Sequence, residues 1–219
     1  MLNYEAIEAE IIRLTPDDTK DSGLDHLTEE FIRLAVSASV TNLNLDQSEH
    51  SISNCLELGA SGEQIQEILT LISGLGVHTL METALMLVRQ LRKKGDEFID
   101  APLDPYRLGL WEKYVGTNAY WLKFEEEVPG FLNSILRLSP DTFEAFFIYC
   151  SIPWRSNYLP ALTKELVSLA VDTSTTHRYW PGFKLHLNNA IKLGANRHML
   201  LATLQIAKSS TLHHGIGPK

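Results

Sequence analysis

Apolar residues recur at three- and four-residue spacings along nearly the whole chain, and no stretch sustains the alternation of a half-buried strand. This pattern predicts helices throughout. Ile7, Ile11 and Leu14 form one stripe on a short helix over Tyr4–Leu14 that stops at Thr15-Pro16-Asp17. Leu27, Phe31, Leu34 and Ala35 mark a second helix from Leu27 to near Val40. Asp46 or Ser48 is positioned to cap a third, which Gly59 ends in the left-handed conformation that glycine adopts most cheaply. Ser61 with Gln64 three residues on makes a capping box for the next helix. Further along, Leu108–Leu122 and Phe124–Leu138 read as helices, the second started or kinked at Pro129-Gly130. Ser139 followed by Pro140 is a good helix start. Ile68–Val88 has the length of a membrane span, but it contains Gly74, Gly76, His78 and Glu82, so a helix broken near the glycines fits it better.

The pattern also repeats. Gly59-Ala60 matches Gly194-Ala195, and the same offset of 135 matches Leu27 with Leu162, Glu30 with Glu165, Leu34-Ala35-Val36 with Leu169-Ala170-Val171, and His78 with His213. Self-similarity at one spacing predicts a duplicated architecture. The fold expected is all-α, with two three-helix units plus additional helices: a first repeat over 1–94, a linker over 95–107, and a second repeat over 108–219. Ile11 to Asp17 matches Ile135 to Asp141 at a shorter offset, which leaves 11 extra residues in the second copy. They fall in an aromatic stretch, Phe143, Phe146, Phe147, Tyr149 and Trp154, read as core or oligomer-interface packing, with a lid over a substrate as the sharper alternative.

Composition narrows the partners. A net charge of −8 over 219 residues argues against nucleic acid, which is held by clustered Lys and Arg. The basic run Arg89, Arg92, Lys93, Lys94 sits where cations complement a helix C-terminus. Cys55 and Cys150 are too few and too far apart for a disulfide framework or a metal knuckle, and read as buried thiols. The acidic, amphipathic N-terminus is unlike a secretory signal. The expectation is a cytoplasmic protein with no membrane partner.

Leu162-Thr163-Lys164-Glu165-Leu166, then Leu169-Ala170-Val171, then His186 eight residues before Gly194-Ala195, resembles the carboxymuconolactone decarboxylase family, which includes the alkylhydroperoxidase D type proteins. The resemblance covers both halves. It implies a compact helical fold that self-associates, often as trimers of dimers, and hence a homo-oligomer such as a trimer of duplicated chains. It also implies a pocket between the helix of His186 and the end of the helix of Glu165. The peroxidase branch carries a Cys-x-x-Cys pair seven and four residues before its histidine, where this chain has Tyr179 and Gly182. Thiol chemistry needs a thiolate and a resolving partner, and neither copy has them.

His186 borders an apolar stripe, so a packed core histidine and a proton carrier both remain open for it. The nearby loop of His177, Arg178 and Tyr179 puts the second on an equal footing with the first. Glu165 is either its acid–base partner or half of a helix-flank salt bridge. The candidate catalytic residues are His186, Glu165, His177 and Tyr179, and the candidate substrate-binding residues are Arg178, Trp180 and His213. His213-His214 lacks a third ligand nearby, so no metal is expected, and no cofactor. Two function classes follow. One is a cofactor-independent lyase (decarboxylase) or isomerase acting on a small carboxylated acid or lactone. The other is a non-catalytic binding or assembly protein on the same fold, with a peroxidase-type antioxidant a distant third.

Overall fold

A computed structural model describes residues 3–17 and 23–217. The described residues hold thirteen α-helices and no strand. In chain order these are α1 (Tyr4–Leu14), α2 (His26–Ala38), α3 (Leu45–Glu57), α4 (Gly62–Ser73), α5 (Val77–Lys93), α6 (Pro105–Tyr114), α7 (Ala119–Glu127), α8 (Phe131–Leu138), α9 (Pro140–Cys150), α10 (Ile152–Arg155), α11 (Ala161–Thr173), α12 (Trp180–Lys192) and α13 (Arg197–Lys208). A 3-10 turn over Gly74–Gly76 separates α4 from α5, so the long apolar run is broken where its glycines fall.

Local chemistry sets most of the boundaries. Asn3, Asp25, Ser61, Ser139 and Asn196 each cap a helix by accepting a backbone N–H from its first turn. Ser61 and Gln64 form the full reciprocal box. Two expectations need correction. The cap of α3 is Asn44, whose Oδ1 accepts from Gln47 N at 3.1 Å, while the Ser48 hydroxyl donates back to Asn44 O at 2.8 Å. Asp46 lies inside the first turn, where a carboxylate suits the helix dipole. The expected helix over Leu108–Leu122 is two. Asp104 caps α6 with Pro105 in its first turn, Gly116 leaves it at φ 43°, and Asn118 caps α7.

The chain packs as two compact units, 1–75 with 153–219, and 76–152. In the second, Phe131, Phe143, Phe146 and Phe147 are buried, and Trp121, Phe124 and Phe146 meet one another and Phe131 or Phe147 mostly edge to face. Aromatics of the inserted stretch therefore pack a core here, although Tyr149 stays exposed.

In the first unit, two helix triplets lie together. The bounds of α2, α3 and α4 coincide residue for residue with those of α11, α12 and α13 at an offset of 135. The stops correspond too, with Gly59 at φ 91° and Gly194 at φ 100°. Helix α11 packs against α12, α13, α2 and α4, and every residue from Thr163 to Thr173 is buried. Even its lysine is inside. Lys164 Nζ lies 2.5 Å from Glu67 Oε1 and donates to Pro153 O and Ser156 O at 2.6 and 2.9 Å.

Candidate functional site

Glu165 and Asp172 are seven residues apart on α11, so two helical turns bring both carboxylates to one face. His186 and Asn189, three apart on α12, meet that face. Helix α12 can start so close to α11 because Tyr179 N donates to Asp172 O at 2.7 Å and Pro181 supplies its first turn. The connecting loop carries Arg178 at φ 50°. Its counterpart 135 residues earlier, Leu43, has φ 46°, so the two triplets share even this costly left-handed residue. Thr176 Oγ1 donates to the carbonyl of Thr41, its own counterpart, at 2.5 Å.

The geometry centres on one imidazole. His186 Nδ1 is 2.6 Å from Glu165 Oε2, and Asn189 Nδ2 donates to Glu165 Oε1 at 3.1 Å. The two bonds fix the carboxylate and orient the ring. On the other side, His186 Nε2 is 3.9 Å from Asp172 Oδ2, and His177 Nε2 is 3.7 Å from Asp172 Oδ1. The Asp172 and Glu165 side chains are 1% and 5% exposed, whereas those of His186 and His177 keep 15% and 16%. Both histidines thus reach the surface of an otherwise dry group.

Electrostatics follow from this arrangement. Burial pushes the Asp172 carboxyl up to about 7, against the pull of His186 and with added repulsion from Glu165. Burial alone would lower His186, but the Glu165 carboxylate on Nδ1 and the charge of Asp172 outweigh it and raise it above its ordinary 6.5. His177 has no such compensation in its balance and is lowered by burial. The site thus sets an imidazole whose protonated form is favoured beside a carboxyl that titrates at about 7. That is a set of groups able to give and take protons.

Gly182 explains how Asp172 fits. A Cβ at position 182 would stand 2.1 Å from Asp172 Oδ2 and 2.9 Å from its Cγ. The aspartate therefore fills the volume a side chain there would need, and position 182 is one of the two at which the peroxidase branch carries cysteine. The actual cysteines are elsewhere. Cys55 on α3 and Cys150 on α9 are both free, and burial pushes both thiols up to about 11.

Of the residues singled out in the sequence, Glu165 and His186 are bonded to each other, and His177 joins them across Asp172. Tyr179 lies beside His177 with ring centroids 5.9 Å apart. Arg178 is on the same loop, and its charge acts on the Tyr4 hydroxyl, which is 3.2 Å from Thr175 Oγ1. Trp180 packs on Phe183 at 5.1 Å, against the core. His213 is exposed in the C-terminal segment and has no polar partner among the described residues. Asp172 and Asn189 went unnoticed in the sequence. The signals were present: one is seven residues from Glu165 on the same helix, and the other is three from His186.

No family model and no curated protein matches the chain. A solved structure does. A protein from Burkholderia xenovorans LB400, provisionally assigned as a gamma-carboxymuconolactone decarboxylase subunit, is 35% identical, with a TM-score of 0.71 over 84% of this chain and 71% of that one. With this identity and coverage, and with the helix order described above, the chain belongs to the carboxymuconolactone decarboxylase family.

Proposed function

We propose that the protein is a cofactor-independent carboxy-lyase or isomerase for small carboxylated acids or lactones, with His186 as its proton carrier. The observation that carries this reading is the buried Glu165–His186 pair at 2.6 Å, with the Asp172 carboxyl facing the other ring nitrogen. In the lyase form, the bond to the departing carboxylate breaks, CO2 leaves, and the electron pair passes into a carbonyl or lactone already present in the substrate. The resulting enolate then takes a proton from His186 Nε2, while Glu165 holds Nδ1 and stabilises the imidazolium. In the isomerase form the neutral ring takes a proton from one carbon at the same nitrogen and returns it to another. Arg178 is the cation on the loop beside the site, suited to orient a substrate carboxylate that does not leave. In the lyase form, which uses the protonated ring, the raised His186 keeps its proton above pH 6.5 and turnover should fall as pH rises through its titration.

The test is CO2 release or double-bond migration from a panel of 3-oxo acids and carboxylated lactones. His186→Gln, which can still donate to Glu165, should cost about a hundredfold or more in turnover while the melting temperature hardly moves. Full turnover in that variant, or no reaction and no binding across the panel with the native protein, would sink the proposal.

A further inference from the structure

The first triplet has a pocket of its own. A half-open cavity of about 140 Å³ lies between α2, α3 and the end of α13, lined by residues that include Arg33, Ser37, Asn42, Asn44, Gln47 and Thr211. The offset of 135 makes it the counterpart of the His186 site. Ser37 stands where the other triplet has Asp172, Asn42 where it has His177, Asn44 where it has Tyr179, and Gln47 where it has Gly182. The clasp behind it is retained, since Asn54 Nδ2 donates to Glu30 Oε2 at 3.3 Å just as Asn189 does to Glu165. The imidazole is not retained: position 51 is a serine, buried and 3.5 Å from Gln47 Nε2.

Every group of this wall that could titrate near neutrality is thus a neutral amide or hydroxyl, so the pocket cannot move protons as its counterpart can. One charge remains among the lining residues, the guanidinium of Arg33. Asn42, 1% exposed, donates through Nδ2 to Thr211 O at 2.8 Å, and its Oδ1 takes no hydrogen bond among the described residues. Val36 and Ile206 give the apolar part of the lining. A cavity of about 150 Å³ holds a benzene-sized molecule, so this one takes about six non-hydrogen atoms.

We infer that the first triplet keeps this cavity as a non-catalytic binding site for a short hydroxycarboxylate, its carboxylate on Arg33 and its hydroxyl among the neutral amides and hydroxyls of the wall. The inference stands apart from the reaction proposed at His186.

Lactate is the probe, titrated into the full-length isotope-labelled protein and followed by amide NMR, with propane-1,2-diol as the counterpart lacking a carboxylate. Lactate should shift the amides of Asn44, Ser210 and Thr211 saturably in the millimolar range, and the diol should not. Arg33→Gln should weaken lactate by about tenfold, the worth of a charge-assisted bond. The Arg33 side chain is 42% exposed and its ion pair is a 3.5 Å contact with Glu30, so the variant should fold, which its spectrum would show directly. His186→Gln should leave this binding unchanged, so failure of the catalytic reading and failure of this one are separable. No saturable shift at these amides, equal affinity in Arg33→Gln, or shifts confined to residues around His186 would each overturn the inference.

Discussion

Asp172 is where a single side chain has the widest effect. Its carboxyl rises from 3.8 to about 7 on folding, so the folded state binds that proton more tightly than the unfolded one. The stability this confers is fully present below pH 3.8 and is lost as pH rises to about 7, at up to about 1.4 kcal/mol per unit. His186, also raised, contributes in the same direction at higher pH. Asp172→Asn should therefore melt higher than the native protein at pH 8, and the gain should vanish near pH 4, as scanning calorimetry across pH would reveal. Gly182 supplies the complementary prediction. Its φ is ordinary and it sits in the first turn of α12, so alanine should favour the helix by up to about 1 kcal/mol. The contact with Asp172 reverses that sign, and Gly182→Ala should cost about 1–3 kcal/mol. In an Asp172→Ala background the same change should be neutral or stabilising, which a denaturant double-mutant cycle measures. These two residues also mark the edge of what the sequence reveals. Glu165 and His186 stand out because their types announce proton chemistry, whereas a glycine shows nothing of the volume it leaves, and an aspartate ending an apolar run reads as a helix terminus.

At the scale of the element, α11 is unusual in having no solvent side. A helix buried all round is normally apolar, yet this one contains Lys164, Glu165 and Asp172. Each charge is met by a partner outside the helix, and Lys164 is ion-paired with Glu67 and hydrogen-bonded to two carbonyls. Lys164→Met should destabilise the protein by about 3–5 kcal/mol by stranding Glu67 in the interior, and Lys164→Met with Glu67→Leu should recover most of it. A chemical-denaturation comparison of the two variants decides the point. Equal losses would mean that the bonds to Pro153 and Ser156 matter more than the ion pair. Helix positions were mostly legible, because the spacing of apolar residues and the caps at Ser61 and Ser139 act locally. The burial of Lys164 was not, because it depends on α4, about a hundred residues away in the chain.

At the scale of the whole molecule, self-association remains a proposal that light scattering can test. Within 76–152, Met86, Leu87, Tyr106, Leu108, Leu122 and Ile148 are all at least 46% exposed, apolar area that association between copies would bury. A mass about three times that of the chain is the expected result, and a strictly monomeric mass at micromolar concentration would contradict it. The packing of the two triplets within one unit has a further consequence. Where a bundle forms from separate subunits, its integrity follows mass action and fades on dilution. Here α2 and α11 belong to one polypeptide, and the bond from Thr176 to Thr41 is intramolecular. Their encounter proceeds at an effective concentration set by the tether, which no dilution lowers. Helix α2 and helix α11, which carries Glu165 and Asp172, should therefore stay packed together at concentrations where any association between chains has been lost.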